Sequence, residues 1–143
     1  MSQDDRLIFL LLTAQQALKN HTNRALAAEG ARITVAQSGI LFLLKHQDRR
    51  MISEVGRILG IENSAMTGLV DRLEKSGFVR RAADPADRRA LLICITPAGL
   101  EEIEKAKPII RRVNDEIKAG CPDHEIEGFK SVLNWILNRS KRI

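Results

Sequence analysis

The stretch that decides the fold runs from residue 52 to residue 77, ISEVGRILGIENSAMTGLVDRLEKSG. Its apolar residues recur at helical spacing in two short segments, 52–59 and about 63–76, which are separated by a glycine-containing turn at 60–62. Gly77 then stands where a left-handed residue commonly ends a helix. Two short helices joined by such a turn predict a helix-turn-helix.

Four residues of this stretch fit the packing of the motif. Gly56 allows two helices to approach closely, Gly60 turns the chain, and Met66 and Leu69 hold the second helix against the first. Helix pairs with glycine turns also occur in proteins that never touch DNA. The motif alone therefore leaves the function open.

A charged hairpin is predicted directly after the second helix. Residues 78–81 and 91–95 have the pattern of short strands, and the turn 84–89, DPADRR, lies between them. Behind a helix that enters a major groove, such a hairpin can reach the neighbouring minor groove with an arginine, and the whole unit is then a winged helix. The alternative is a solvated turn whose aspartate and arginine side chains pair with one another.

The remaining segments are predicted to be helices on either side of this unit. A long helix with an apolar stripe runs from Asp5 to about Ala28, and Thr34 can cap the next helix. Thr96 followed by Pro97 is typical of a helix start, and the last helix begins near Asp123. The fold class is therefore mainly α with a small β-hairpin wing.

Composition and charge narrow the class of protein. The 143 residues suffice for one globular domain, and the net charge is +5. Residues 72–89 hold six basic and three acidic residues, so the surplus is concentrated there and favours a polyanionic partner. The longest apolar run, 7–12, is too short to span a membrane, and two cysteines are too few for a disulfide framework, which favours a cytoplasmic location.

Three segments together resemble the signature of the MarR family of bacterial transcriptional regulators. They are LVDRLEKSGFVRR at 69–81, DPADRR at 84–89 and ITPAG at 95–99. The resemblance is detailed between about residues 34 and 99, and the flanking helices agree with the family in number and order.

The resemblance implies a single MarR-type domain spanning residues 1–143. Its parts are a winged helix-turn-helix lobe at about 34–99 and dimerisation helices at about 5–29 and 97–140, with the terminal helices of two chains intertwined. The implied function is a ligand-responsive, sequence-specific DNA-binding regulator, a repressor, that binds a pseudo-palindromic operator as a homodimer at the nucleoid of a bacterium or archaeon. Apolar stripes on the first, fifth and sixth helices favour a dimer interface independently, the alternative being packing within one monomer.

The second helix of the motif is expected to contact DNA. Its first turns approach base edges in this motif, although the side-chain oxygens of Asn63 and Ser64 would equally suit a helix cap. Arg72 and Lys75 are expected to contact phosphates. Related sequences often have a longer side chain where Gly68 stands, so base readout there is expected to be weak. The DNA-binding residues predicted on this helix are Asn63, Ser64, Thr67, Gly68, Asp71, Arg72 and Lys75.

Four further DNA-binding residues are predicted in the wing, namely Arg81, Asp87, Arg88 and Arg89. By resemblance, Arg89 is the arginine that enters the minor groove, and Asp87 orients a nearby arginine through a charge-assisted hydrogen bond. Arg88 is expected to contact a phosphate, although one sequence does not settle which of the two neighbouring arginines enters the groove.

The resemblance also implies a small aromatic or anionic effector that binds between the dimerisation helices and the winged lobe. The sequence does not identify it, and the chain contains no tyrosine to orient a phenol. No cofactor and no metal are predicted, because the three histidines are widely separated in the sequence. No enzyme motif is present either.

Two alternatives to a ligand-responsive repressor stay open at this point. One is a winged-helix module that binds another protein, and the other is a thiol- or metal-responsive regulator. Cys94 is expected in the core and Cys121 at a helix junction, where its thiol could be exposed. The peroxide-sensing branch of the family uses a cysteine near the start of the first helix, and here no cysteine precedes Cys94.

Overall fold

The computed structural model describes residues 6–141 of the chain. The predicted start of the first helix at Asp5 lies outside this range. Within it, the chain forms a mainly helical structure with a small antiparallel sheet, which confirms the predicted fold class. The elements are α1 Leu7–Ala28, α2 Val35–His46, β1 Arg50–Met51, α3 Ile52–Leu59, α4 Asn63–Lys75, β2 Val79–Asp84, β3 Asp87–Ile95, α5 Pro97–Ala119 and α6 Asp123–Ser140.

The chain divides into two compact units between Ile110 and Arg111. The first contains α1 to β3 and the first half of α5, and it encloses a core in which Leu26, Ile40 and Ile103 are fully buried. The second contains the end of α5 together with α6, and no residue of α6 is buried. The single domain spanning 1–143 stays a prediction. No helix within residues 6–141 has an apolar stretch long enough to cross a membrane.

The turn between α3 and α4 is set by the backbone and by one close approach. Gly60 has a φ of 69°, and the amide of Ile61 donates to the carbonyl of Gly56 at 2.8 Å. A Cβ atom at Gly56 would lie 2.9 Å from both the carbonyl oxygen of Ile61 and Cγ of Met66, which is closer than carbon atoms pack. The predicted close packing at Gly56 is therefore confirmed.

Threonine hydroxyls cap the first turns of two helices, as the sequence predicts. Thr34 caps α2 in a capping box, in which its hydroxyl accepts from the amide of Gln37 and the Gln37 side chain accepts from the amide of Thr34. At α5, the hydroxyl of Thr96 accepts from the amide of Gly99 at 3.1 Å and donates to the carbonyl of Gly77 at 2.5 Å. The second bond fixes the start of α5 to the end of α4.

The wing differs from its prediction in length and in strand number. The strand pairing extends to Asp84 opposite Asp87, so the loop shrinks to two residues, and Arg88 and Arg89 lie on β3 instead of in the turn. A third strand, β1, pairs with β3 through Arg50 opposite Ile93 and gives the order β1-β3-β2.

The segment before α3 is held by a buried arginine. Arg50 donates from Nε to the backbone carbonyl of Gln47 at 2.9 Å and from a terminal nitrogen to Glu54 at 3.0 Å. Asp48 accepts the amide of Ile95 at 2.8 Å. This segment therefore anchors the base of the wing to the helix-turn-helix.

The packing at Gly56 leads to a stability prediction. Gly56→Ala should lower the free energy of unfolding by about 1–3 kcal/mol, the usual cost of overpacking a close contact. Urea unfolding followed by circular dichroism measures this change.

Gly68→Ala is the matched control, because a Cβ there meets only Nη2 of Arg72 at an ordinary 3.5 Å. Removing a mid-helix glycine should raise stability by about 0.5–1 kcal/mol. Equal effects of the two substitutions would contradict the close approach of α3 and α4.

Candidate nucleic-acid interface

One face of α4 is fixed in the core, and this orients the other face toward solvent. Met66, Val70 and Leu73 are buried to within 1%. Because α-helical residues three and four apart share a face, the opposite face lies outward. Of the predicted contact residues on α4, Gly68 is half-buried, and the exposed ones are Asn63, Ser64, Thr67, Asp71, Arg72 and Lys75.

The first turn of α4 has polar side chains that do not cap the helix. The N-cap residue is Glu62, and no side chain accepts a hydrogen bond from the free amides there. The alternative that Asn63 and Ser64 cap the helix is therefore wrong. Thr67 donates its hydroxyl to the carbonyl of Asn63 at 3.0 Å, which leaves its methyl group and its oxygen lone pairs at the surface.

Two acidic residues of α4 share one arginine of β2. The guanidinium of Arg81 donates to Asp71 at 2.6 Å and to Glu74 at 2.6 Å, and the amide of Arg81 also donates to Glu74 at 3.1 Å. The hydrogen bond with Asp71, together with that to Glu74, raises the pKa of Arg81, so the group stays charged at every working pH. This cluster joins the wing to α4 and neutralises much of the negative charge on that edge of the helix.

Sequence analysis places both Asp71 and Arg81 among the DNA contacts, and the structure brings them together as an ion pair. The side chain of Arg81 is 23% exposed. The only sequence signal for this pairing is the coincidence of opposite charges ten residues apart, in segments assigned separately to a helix and a strand. A direct contact of Arg81 with DNA stays a prediction.

The other edge of α4 has unpaired positive charge. Arg72 donates from Nε to the carbonyl of Gly68 at 3.2 Å. Neither Arg72 nor Lys75 forms an ion pair with a carboxylate of the described residues. The basic edge of α4 is thus the edge opposite Arg81.

The first residues of β3 include two exposed arginines, and two aspartates shape the backbone around the loop of the wing. Asp84 accepts the amide of Ala86 at 2.9 Å, and Asp87 accepts the amide of Arg89 at 3.0 Å. The sequence predicts that Asp87 orients a guanidinium. Within residues 6–141, its carboxylate instead accepts a hydrogen bond from a backbone amide two residues further along the chain. Arg88 and Arg89 are exposed and form no ion pair in this part of the chain.

The MarR family model matches residues 33–91 of this chain. Among solved structures, a MarR-family transcriptional regulator from Rhodococcus sp. RHA1 is 30% identical, and the match covers 94% of this chain and 96% of the other with a TM-score of 0.79. This chain belongs to the MarR family. The resemblance stated from the sequence is therefore confirmed.

Other relatives of this MarR-family protein are also named as transcriptional regulators. BadR of Rhodopseudomonas palustris, a transcriptional activatory protein, is 29% identical over 147 residues, covering 100% of this chain and 83% of BadR. YfiV of Bacillus subtilis, an HTH-type transcriptional regulator, is 37% identical over 79 residues, and the match spans 55% of this chain and 45% of YfiV.

One of the solved relatives is bound to DNA. The transcriptional repressor CouR, solved on a 23-mer DNA duplex, is 26% identical, covers 92% of both chains and has a TM-score of 0.81. The present protein is accordingly a transcriptional regulator of the MarR family and not an enzyme.

The thiols lie as the sequence predicts. Cys94 is 1% exposed, on β3, and Cys121 is exposed between α5 and α6. Within residues 6–141, no three histidine, cysteine, aspartate or glutamate side chains lie close enough together to hold a metal ion.

The Asp71–Arg81–Glu74 cluster leads to a prediction about DNA affinity. Arg81→Gln should weaken binding to duplex DNA about tenfold, because two carboxylates on the DNA-binding helix then lose their counter-charge. The triple variant Asp71→Asn, Glu74→Gln, Arg81→Gln should recover most of this loss, since it removes the acids as well. Fluorescence anisotropy with labelled DNA measures both.

Arg80→Gln, an exposed neighbour on β2, is the control for the loss of one positive charge. A triple variant that binds as weakly as Arg81→Gln would instead mean that Arg81 itself contacts DNA, as the sequence alone predicts.

Proposed function

We propose that this MarR-family regulator is a homodimeric repressor that binds a pseudo-palindromic operator and is released from it by a small-molecule effector. The observation that carries the proposal is the outward face of α4, where uncommitted polar side chains are held in a fixed orientation by the buried face. The protein then acts at the nucleoid, where its operator lies.

Base recognition is assigned to the first turns of α4. Asn63, Ser64 and Thr67 offer donors, acceptors and one methyl group, the groups that distinguish base pairs in the major groove. Their exposure and the absence of capping bonds support this assignment. Gly68 offers no side chain, so the base pair opposite it is expected to contribute little to specificity.

Backbone contacts are assigned to the positive charges beside these residues. Arg72 and Lys75 lie two or three turns further along α4 and suit phosphates, which require charge and little geometry. Arg88 and Arg89 are exposed on the wing and have no carboxylate partner within residues 6–141. Arg89 suits the narrow, electronegative minor groove, and Arg88 suits a phosphate. Asp87 is assigned the support of the backbone at Arg89.

Dimerisation is assigned to the terminal helices, because they expose apolar side chains that a monomer leaves in water. On α5, Ile103 and Ala106 are already buried in the core. On α5, Leu100 and Ile117 are 40% exposed, and on α1 and α6 several apolar side chains are more than half exposed. They include Leu7, Ile8, Phe9, Leu10 and Leu12 on α1 and Phe129, Val132, Trp135 and Leu137 on α6.

A two-fold dimer explains the expected form of the operator. Isologous association presents two identical winged lobes, and these require two half-sites of inverted sequence about 34–36 Å apart for successive major grooves. An effector that prefers another spacing of the lobes lowers DNA affinity by its difference in affinity for the two arrangements. The sign of regulation is proposed as repression, as for CouR, although BadR is named an activatory protein.

The experiment that tests the function is selection of genomic DNA fragments by the purified protein, followed by sequencing. Enrichment of one inverted repeat, with a log-log affinity that falls linearly with salt, is expected. No enrichment and no salt dependence would favour a module that binds another protein. In vitro transcription across the selected site then separates repression from activation.

The wing assignment predicts that Arg89→Ala weakens operator binding at least about tenfold, the loss expected for an arginine that contacts DNA in a groove. Fluorescence anisotropy gives the affinity, and sedimentation shows that the oligomeric state is unchanged. Arg24→Ala on α1 removes the same charge outside the proposed DNA interface and should leave the affinity for the operator unchanged. An unchanged affinity of Arg89→Ala would exclude this arginine as a DNA contact.

The dimer assignment predicts that the double variant Phe129→Glu, Val132→Glu sediments as a monomer of 16.0 kDa, because two carboxylates would be buried in an apolar interface. The wild-type protein should sediment at twice that mass. Asn134→Glu adds a charge at an exposed polar position of α6 and is the control. A double variant that remains dimeric would place the interface elsewhere.

A further inference from the structure

A cleft with three positive charges lies between the start of α2 and the last turns of α4. Its volume is about 280 Å³, and no carboxylate of residues 6–141 lines it. Two of its cations, Arg72 and Lys75, are predicted from the sequence, and the third, Arg32, comes from the loop between α1 and α2 and was not predicted. The lining residues are Arg32, Thr34, Gln37, Leu69, Arg72, Lys75 and Ser76.

Arg32 is held in place at both its backbone and its side chain. Its amide donates to the carboxylate of Glu102 at 3.2 Å, and Glu102 is 5% exposed. Its guanidinium lies over the ring of the buried Phe78, 5.2 Å from the centroid. A long side chain fixed in this way loses little conformational entropy when it binds a ligand.

The charge of this cleft is not neutralised by the protein. Within residues 6–141, none of Arg32, Arg72 and Lys75 forms an ion pair with a carboxylate. On the opposite edge of α4, by contrast, Arg81 is bound by two carboxylates. Three like charges around one small cleft repel each other, and an anion bound between them removes this repulsion.

The groups left to bind an anion are side chains. Two of the early amides of α2 are already used, since the amide of Gln37 donates to the hydroxyl of Thr34 and that of Val35 donates to Asn23 at 2.8 Å. Two guanidinium groups and one ammonium group therefore remain, with the hydroxyl of Ser76 beside them. Guanidinium groups bind the oxygens of phosphates and carboxylates in pairs.

We propose that the cleft of Arg32, Arg72 and Lys75 is an oxyanion site that takes one phosphate or carboxylate group. Two sources supply this chemistry, a phosphodiester of bound DNA and a free small anion. If the source is DNA, the inference deepens the proposed function and adds Arg32 to the DNA contacts. If the source is a free anion, the inference does not depend on the proposed function.

The first arm of the test uses the protein without DNA. Sodium phosphate is titrated against sodium chloride at constant ionic strength, and amide shifts are followed by ¹H–¹⁵N NMR. A free-anion site gives saturable shifts at Thr34, Gln37 and Ser76. Arg32→Gln should weaken this binding about tenfold, because one charge-assisted contact is lost.

The second arm uses duplex DNA over a range of salt concentrations. If a DNA phosphate occupies the cleft, Arg32→Gln should reduce the slope of log affinity against log salt by about 0.9 per protomer. Arg32→Lys keeps the charge and should restore the slope. Arg24→Gln, which makes the same change on α1, should leave the slope unaltered.

The outcomes separate the sources and the two proposals. Saturable phosphate binding that depends on Arg32 supports a free-anion source, and a reduced salt slope supports a DNA phosphate. If neither effect occurs, the oxyanion site is overturned. If the wild-type protein binds no DNA, the proposed function fails, and the phosphate arm alone then decides the cleft.

Discussion

The close approach of α3 to α4 is the constraint on which the outward face of α4 depends. At Gly56 the backbone of one helix meets Met66 of the other with no room for a Cβ atom. This contact sets the rotation of α4 about its axis, with Met66, Val70 and Leu73 inward. Every polar group on the outward face is positioned by packing on the inward one, so the base recognition proposed for this face rests on a steric contact in the core.

Charge is divided unequally between the two edges of α4. Along the edge that faces β2, Asp71 and Glu74 pair with Arg81. Along the other edge, Arg72 and Lys75 lie beside Arg32, and no acid within residues 6–141 lines their cleft. The modest net charge of the chain thus becomes a local field of one sign. This field directs an approaching polyanion to one side of the helix and so helps to define how the polyanion lies against α4.

Local signals in the sequence predicted much of the fold. The bounds of α3, the capping threonines Thr34 and Thr96, and the left-handed Gly60 and Gly77 each depend on a few neighbouring residues, and such signals are legible in one chain. The polar face of α4 followed from the spacing of its apolar residues for the same reason.

The features that were missed depend on distant partners. β1 has only two residues, too few to show a period, and it exists because β3 pairs with it. The pairing of Arg81 with Asp71 and the placement of Arg32 by Glu102, seventy residues away, follow from tertiary packing. The short loop of the wing was missed because Asp and Pro are typical of turns, whereas two residues suffice here to reverse the chain.

Because of the strand order, the base of the wing is supported by three strands and its tip by only two. β1 supports β3 only at Leu92 and Ile93, so from Leu91 to the loop the hairpin is a two-stranded ribbon, a structure of marginal stability by itself. The part of the wing that bears Arg88 and Arg89 is therefore its least reinforced part. A two-stranded ribbon bends more easily than a three-stranded sheet. The groove contact proposed for this part of the wing can therefore follow grooves of different width.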